Sequence, residues 1–133
     1  MKVSVEHSEL TQERKRALAN KPELRREAWR VVRGAAFSLE RWIKSPPPVG
    51  MPVDIGRARA SWGHSTAPAD GSDGIWTEDE PNLTVIEGSK VEYIQRLNEG
   101  WSRQAPAGFI DAAATKVHAE LAAALDDVLK DVL

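Results

Sequence analysis

The side chains able to do chemistry are few and scattered. Histidine occurs at His7, His64 and His118, none with a second His or carboxylate at a recurring metal-ligand spacing. His118 and Asp111 stand about two helical turns apart, which reads as a surface pair. Cysteine is absent, so disulfides, thiolate metal sites and Cys nucleophiles are excluded. Glu78-Asp79-Glu80 offers carboxylates for a hard cation but lacks the Gly-punctuated spacing of a calcium loop. Gly71-Ser72-Asp73-Gly74 is not followed by a Lys and a helix, as a phosphate loop would be. Ser61, Ser65 and Ser102 have no nucleophile-elbow motif around them. The expectation is a protein that is not an enzyme, with no catalytic, cofactor-binding or metal-binding residues.

Charge is the stronger signal. The formal net charge of −2 divides into +5 over residues 1–44 and −7 over residues 45–133. Such a dipolar chain bears on association rather than on fold. The N-terminus MKVSVEHSEL is polar throughout, and no apolar run approaches the roughly 20 residues of a membrane span. Synthesis and folding in a cytoplasm, away from membranes, are the expectation.

The elements that would position these residues follow from periodicity. At 133 residues the chain is the size of one domain. Residues 1–21 read as an N-terminal arm, with Val3 and Val5 alternating as a weak strand or extended arm and a short polar helix after Glu9. Pro22 suits a first helical turn, and residues 22–44 form a long helix. Its apolar face is Leu24, Ala28, Val31, Ala35, Leu39 and Trp42, widened by Val32 and Ile43. At about 100° per residue, Arg26, Arg30, Arg33, Arg41 and Lys44 gather on the opposite face with Phe37. A solvated face is the ordinary reading of such a stripe; Phe37 within it keeps a contact surface in play.

Four prolines then force a stiff connector over residues 45–56. Residues 57–87 read as strands: Ala58, Ala60 and Trp62 alternate with Arg57, Arg59 and Ser61, and two shorter runs follow at 75–77 and 83–86. An acidic turn, residues 78–82, joins the last two. The intervening loop, 65–74, carries almost no apolar side chains and is expected to be mobile. Ser89 and Glu92 have capping-box spacing, predicting a short helix over 90–98. A C-terminal helix over 106–132 has Phe109, Ala113, Val117, Leu121, Leu125, Val128, Leu129 and Val132 as its stripe, with Pro106 in its first turn. The predicted class is α+β: a small antiparallel sheet of three to four strands packed against a long N-terminal-half helix and a long C-terminal helix.

Two stretches together carry a family resemblance. Pro52-Val53-Asp54-Ile55-Gly56-Arg57-Ala58-Arg59-Ala60-Ser61-Trp62 resembles the P-V-D-T-G-x-x-R-x-S signature of tailed-phage tail-completion proteins, minor virion proteins of the head–tail neck. Ile55 departs from the usual Thr. Residues 93–109 resemble the second signature, a Tyr-containing helix leading to G-x-S-x-Q-A-P-x-G-F. Its positions here are Tyr93, Gly100, Ser102, Gln104, Ala105, Pro106, Gly108 and Phe109, with Trp101 inside it. The resemblance covers about residues 22–125, in the family's order of elements.

The resemblance implies a structural subunit of the neck of a tailed phage or prophage, located in the virion and made in the host cytoplasm. It implies a homo-oligomeric ring, hexameric by preference and dodecameric as the runner-up. Its partners would be neighbouring neck and tail proteins, with DNA passing through the lumen as a further contact. A tail terminator or head-closure subunit of the same neck is the near alternative. Asp54, Gly56, Arg57, Trp62, Trp76, Tyr93, Gly100, Trp101, Gln104, Pro106 and Phe109 transfer as turn, packing and interface candidates. A reading of another class is a small nucleic-acid-binding module using the basic helix, with Trp29 and Phe37 beside it. Against it stand the acidic C-terminal helix and the lack of any helix-turn-helix or stacking-sheet signature.

Overall fold

The computed structural model describes residues 1–45, 50, 60–65, 72–100 and 107–132. Most of the proline-rich connector, residues 66–71 of the 65–74 loop and the 101–106 joint lie outside them. The expectations for Asp54, Gly56, Arg57, Trp101, Gln104 and Pro106 therefore lie outside the described residues, as does most of the expected loop mobility.

The class is α+β, as the periodicity predicts. Strand β1 (Lys2–Val5) leads to helix α1 (Gln12–Asn20) and the long helix α2 (Pro22–Ile43). The hairpin β2 (Gly74–Asp79) and β3 (Thr84–Ser89) follows, then the short helix α3 (Glu92–Asn98) and the long helix α4 (Phe109–Val128). Thr11 caps α1 by accepting from the Arg14 amide at 3.2 Å. Lys21 ends α1 and opens α2, where Pro22 occupies the first turn and forfeits no intrahelical bond. The acidic turn is a single 3-10 turn, Glu80–Asn82, closed by Leu83 in the left-handed region at φ 49°.

The sheet is antiparallel with order β1-β3-β2, and this corrects the strand assignment. Its third strand is the N-terminal arm, not residues 60–64, the described part of the expected 57–64 strand. Within that stretch Ala60 is helical and residues 61–64 are turns and bends. Ser61 and Trp62 are both fully buried, so the apparent alternation does not describe one inward and one outward face. Gly63 turns the chain at φ +60°, a conformation that no extended strand contains. The β1 seam is sealed at the terminus: the Met1 ammonium donates to Ser89 O at 2.9 Å, and the Ser89 amide donates back to Met1 O at 2.9 Å.

α2 lies between the sheet and α4, and the core forms along it. Its fully buried line is Ala28, Val32, Ala36, Leu39 and Ile43, while Leu24, Val31, Ala35 and Trp42 are only partly buried. The stripe is thus centred about one residue further along than the periodicity placed it. A helix touched on two flanks buries the arc between its neighbours, and that arc includes Ala36. The α4 stripe agrees with expectation at Phe109, Ala113, Val117, Leu121, Leu125 and Leu129, which are buried, and Ile110 joins them; Val128 and Val132 are only partly buried, because the helix ends at Val128 rather than 132. Each such Leu or Ile contributes about 1.5–3 kcal/mol relative to an exposed side chain.

The expected Ser89–Glu92 capping box does not form. Ser89 ends β3, α3 is capped by Val91 without a side-chain bond, and the Ser89 hydroxyl instead accepts from the Val91 amide at 3.1 Å. The start of α4 is organised by Asn98. Its carbonyl accepts from the Gly108 amide, its side-chain oxygen accepts from the Ile110 amide at 2.9 Å, and its Nδ2 donates to Asp111 at 2.9 Å. Gly100, at φ +95°, turns the chain into the joint where a side chain would be strained.

Candidate functional site

The densest polar cluster lies where residues 60–65 cross between β3 and the C-terminal half of α2. Register places Trp76 and Val3 on either side of Glu87, so all three side chains share one sheet face. That is the face toward α2, because Phe37 meets Trp76 and Arg33 meets Glu78 across the gap. Glu87 therefore points into the helix–sheet interface and is fully buried.

Its environment is unusual for a carboxyl group. Oε1 accepts from the Trp62 indole at 2.9 Å, and Oε2 has no hydrogen-bond partner among the described residues. Burial raises its pKa to about 8; the Trp62 bond opposes the rise and the nearby Glu40 charge reinforces it. At neutral pH this group is predominantly the acid, because an unpaired buried carboxylate is too costly.

Residues 60–65 are fastened over Glu87 by several bonds. The Ser61 and Ser89 hydroxyls are 2.8 Å apart, and the Gly63 amide donates to Gly88 O at 2.9 Å. The His64 amide donates to Glu40 Oε2 at 2.6 Å, and His64 Nδ1 is 3.0 Å from the same oxygen. Lys44 Nζ donates to His64 O at 3.0 Å and lies 3.9 Å from Glu40. A Cβ at position 63 would displace the Glu40 carboxylate, and the φ of +60° is strained for any side chain, so the position favours glycine.

The outer edge of the cluster is aromatic. The His64 and Phe37 rings stack at 5.3 Å with 6° between planes, and Trp76 leans on both, 4.8 Å from Phe37 and 4.2 Å from His64. The Arg33 guanidinium lies 5.1 Å over Phe37 and donates to Glu78 at 2.8 Å. Glu78 also accepts from the Trp76 indole at 3.0 Å. The Arg33 and Trp76 bonds hold its pKa below the ordinary value.

The predicted site residues divide accordingly. Trp62 is a core residue, not a surface one, and Phe109 is likewise buried. Trp76 is half-buried in the aromatic edge; Tyr93 and Phe37 are the large hydrophobic side chains most exposed among the described residues. The basic face is less free than its sequence implies. Arg33 holds Glu78, and Lys44 holds His64 O and Glu40. Among the described residues, the bonds of Arg26, Arg30 and Arg41 stay within α2: Arg26 with Pro22 O, Arg30 with Glu27 and Arg41 with Ser38.

The sequence dipole also folds back on itself. Arg14 pairs with Asp126 at 2.6 Å, and Arg25 donates to the Glu80 and Pro81 carbonyls. Arg26 and Asp127 line one cleft of about 910 Å³ between the start of α2 and the end of α4. His118 and Asp111 do not pair: His118 bonds Ser4 O and Asp111 bonds Asn98. No group of three metal-capable side chains occurs among the described residues.

Glu40, His64 and Glu87 were not singled out from the sequence. A signal for Glu87 does exist. It stands two residues after Val85 on a strand, so if Val85 faces the core Glu87 must too. Nothing local marks Glu40 as the partner of a residue 24 positions away. No protein-family model, curated protein or solved structure matches the chain.

Proposed function

We propose that this chain is a structural virion subunit that forms a ring at the head–tail neck of a tailed phage. The single observation that carries the reading is where the two motif stretches come together. Their described ends, residues 60–62 and 93–100, are separated by the whole β2–β3 hairpin in the chain. The first is tied to the C-terminal end of β3, and the second begins two residues after Val91, which is tied there. Ser61 bonds Ser89 and Trp62 bonds Glu87 on one side; Val91, leading into α3, bonds Ser89 on the other. Placing both motif stretches next to one strand end supports a resemblance that rests on both.

Within that reading the interface candidates become more selective. Arg33 and Lys44 already have acidic or carbonyl partners in their own chain, leaving Arg26, Arg30 and Arg41 to contact a neighbour or enclosed DNA. Exposed pairs of this kind contribute about 0–1 kcal/mol each and mainly set orientation, so apolar contacts must supply most of the affinity. Tyr93, 40% exposed, and Phe37, 39% exposed, are the apolar candidates.

Reconstruction of the assembled particle by cryo-electron microscopy tests the proposal; a ring of copies at the neck is expected. A particle with no copies there, or one isolated copy, overturns it. Arg26→Glu with Arg30→Glu is expected to block incorporation while leaving the monomer folded, because among the described residues neither side chain bonds outside α2. Steep salt-dependent DNA binding by the free chain, without assembly, would favour the nucleic-acid module instead.

A further inference from the structure

Residues 60–65 are attached to the body of the protein through two acidic side chains, Glu87 beneath and Glu40 beside, and through bonds to Ser89, Gly88 and Lys44. We propose that they form a proton-operated latch: seated across β3 while the buried Glu87 carboxyl is neutral, and lifted toward solvent when that carboxyl gives its proton to water. The inference is independent of whether the chain builds a ring.

The geometry supports it at three points. Among the described residues Glu87 has one donor for two oxygens, the Trp62 indole, so an ionised carboxylate would keep one oxygen both buried and bare. Hydrating that oxygen requires lifting the residues that cover it, Trp62 with its buried indole included, because β3 is the central strand and cannot move without breaking both ladders. Finally, the latch is held by discrete bonds at Ser61, Trp62, Gly63 and His64 rather than by a ladder.

The surrounding charges leave the ionised form poorly compensated. α2 presents Glu40, which repels a second carboxylate, and Lys44, which attracts one but is bonded to His64 O. The latch itself contributes His64, bound to Glu40. β2 contributes Glu78, bound to Arg33; at β1 the Met1 ammonium is bound to Ser89 O; and α4 brings Lys116, held over the Trp42 ring. The ordinary alternative is a static buried acid that tolerates ionisation without motion.

Hydrogen exchange at the Gly63 and His64 amides, on the full chain between pH 5.5 and 9, separates the two. After correction for intrinsic exchange, latch opening is expected to rise roughly tenfold per pH unit and then level off once the lifted form predominates. In Glu87→Gln, which cannot ionise, opening is expected to be independent of pH. Carbon-13 NMR of the wild-type glutamate carboxyls gives a reading that needs no variant: the Glu87 resonance should shift over the same pH range as the amides lose protection. Protection that does not change with pH in the wild type, or an equal rise in Glu87→Gln, overturns the latch. So does a Glu87 carboxyl that titrates while the Gly63 and His64 amides stay protected.

Discussion

Replacing Glu87 with glutamine should make stability far less dependent on pH. In the unfolded chain a glutamate titrates near 4.5, and in the folded chain Glu87 titrates near 8. Between those values the unfolded state has lost a proton that the folded state keeps. The contribution of Glu87 is therefore fully present below 4.5 and is lost at about 1.4 kcal/mol per pH unit as pH rises toward 8. The total is on the order of 5 kcal/mol, a large share of the 5–15 kcal/mol typical of a domain. Glutamine keeps an acceptor for the Trp62 indole but places an amide where Oε2 has no partner, a pH-independent cost of about 1–3 kcal/mol. The variant should accordingly be the less stable protein at pH 4.5 and the more stable one at pH 8.5. Urea unfolding at pH 4.5, 6.5 and 8.5 measures this directly. If the latch lifts before the domain unfolds, its opening free energy caps the loss, so the wild-type slope should flatten early. Parallel stability profiles for the two proteins would refute the reasoning, because they would mean that Glu87 is ionised in the folded state without penalty.

Two further outcomes probe the frame that holds this site. Leu121→Ala, in the middle of the α4 stripe and 1% exposed, should cost about 2–5 kcal/mol in the same urea assay without changing the pH dependence. Asn98→Ala removes the cap on the Ile110 amide and the link to Asp111, and should cost about 1 kcal/mol, with exchange rising first at the Ile110 amide.

Local pattern carried much of the architecture. Pro22 at the start of α2 and the unbroken stripe from Phe109 to Leu129 are legible because a helix repeats within a few residues. Its buried side chains then recur at a fixed spacing whatever they pack against. The β2–β3 hairpin was legible for the same reason, its two runs being joined by a short acidic turn. The chain's own composition also excluded thiol chemistry outright.

What tertiary structure alone decided is everything that joins distant parts of the chain. Val3 and Val5 alternate too briefly to specify a partner, and only the Met1–Ser89 seam, 88 residues apart in sequence, makes them the third strand. Residues 60–64 alternate as a strand would, yet the bond from Trp62 to Glu87 draws the indole inward and Gly63 turns the chain away. The front-to-back charge dipole is real along the chain, but Arg14–Asp126 and Arg33–Glu78 close it in space. Burial of Glu87 follows the same logic: its covering is assembled from α2, β2 and residues 60–65. A carboxyl's proton affinity depends on the water that these elements exclude together, which no single stretch of sequence contains.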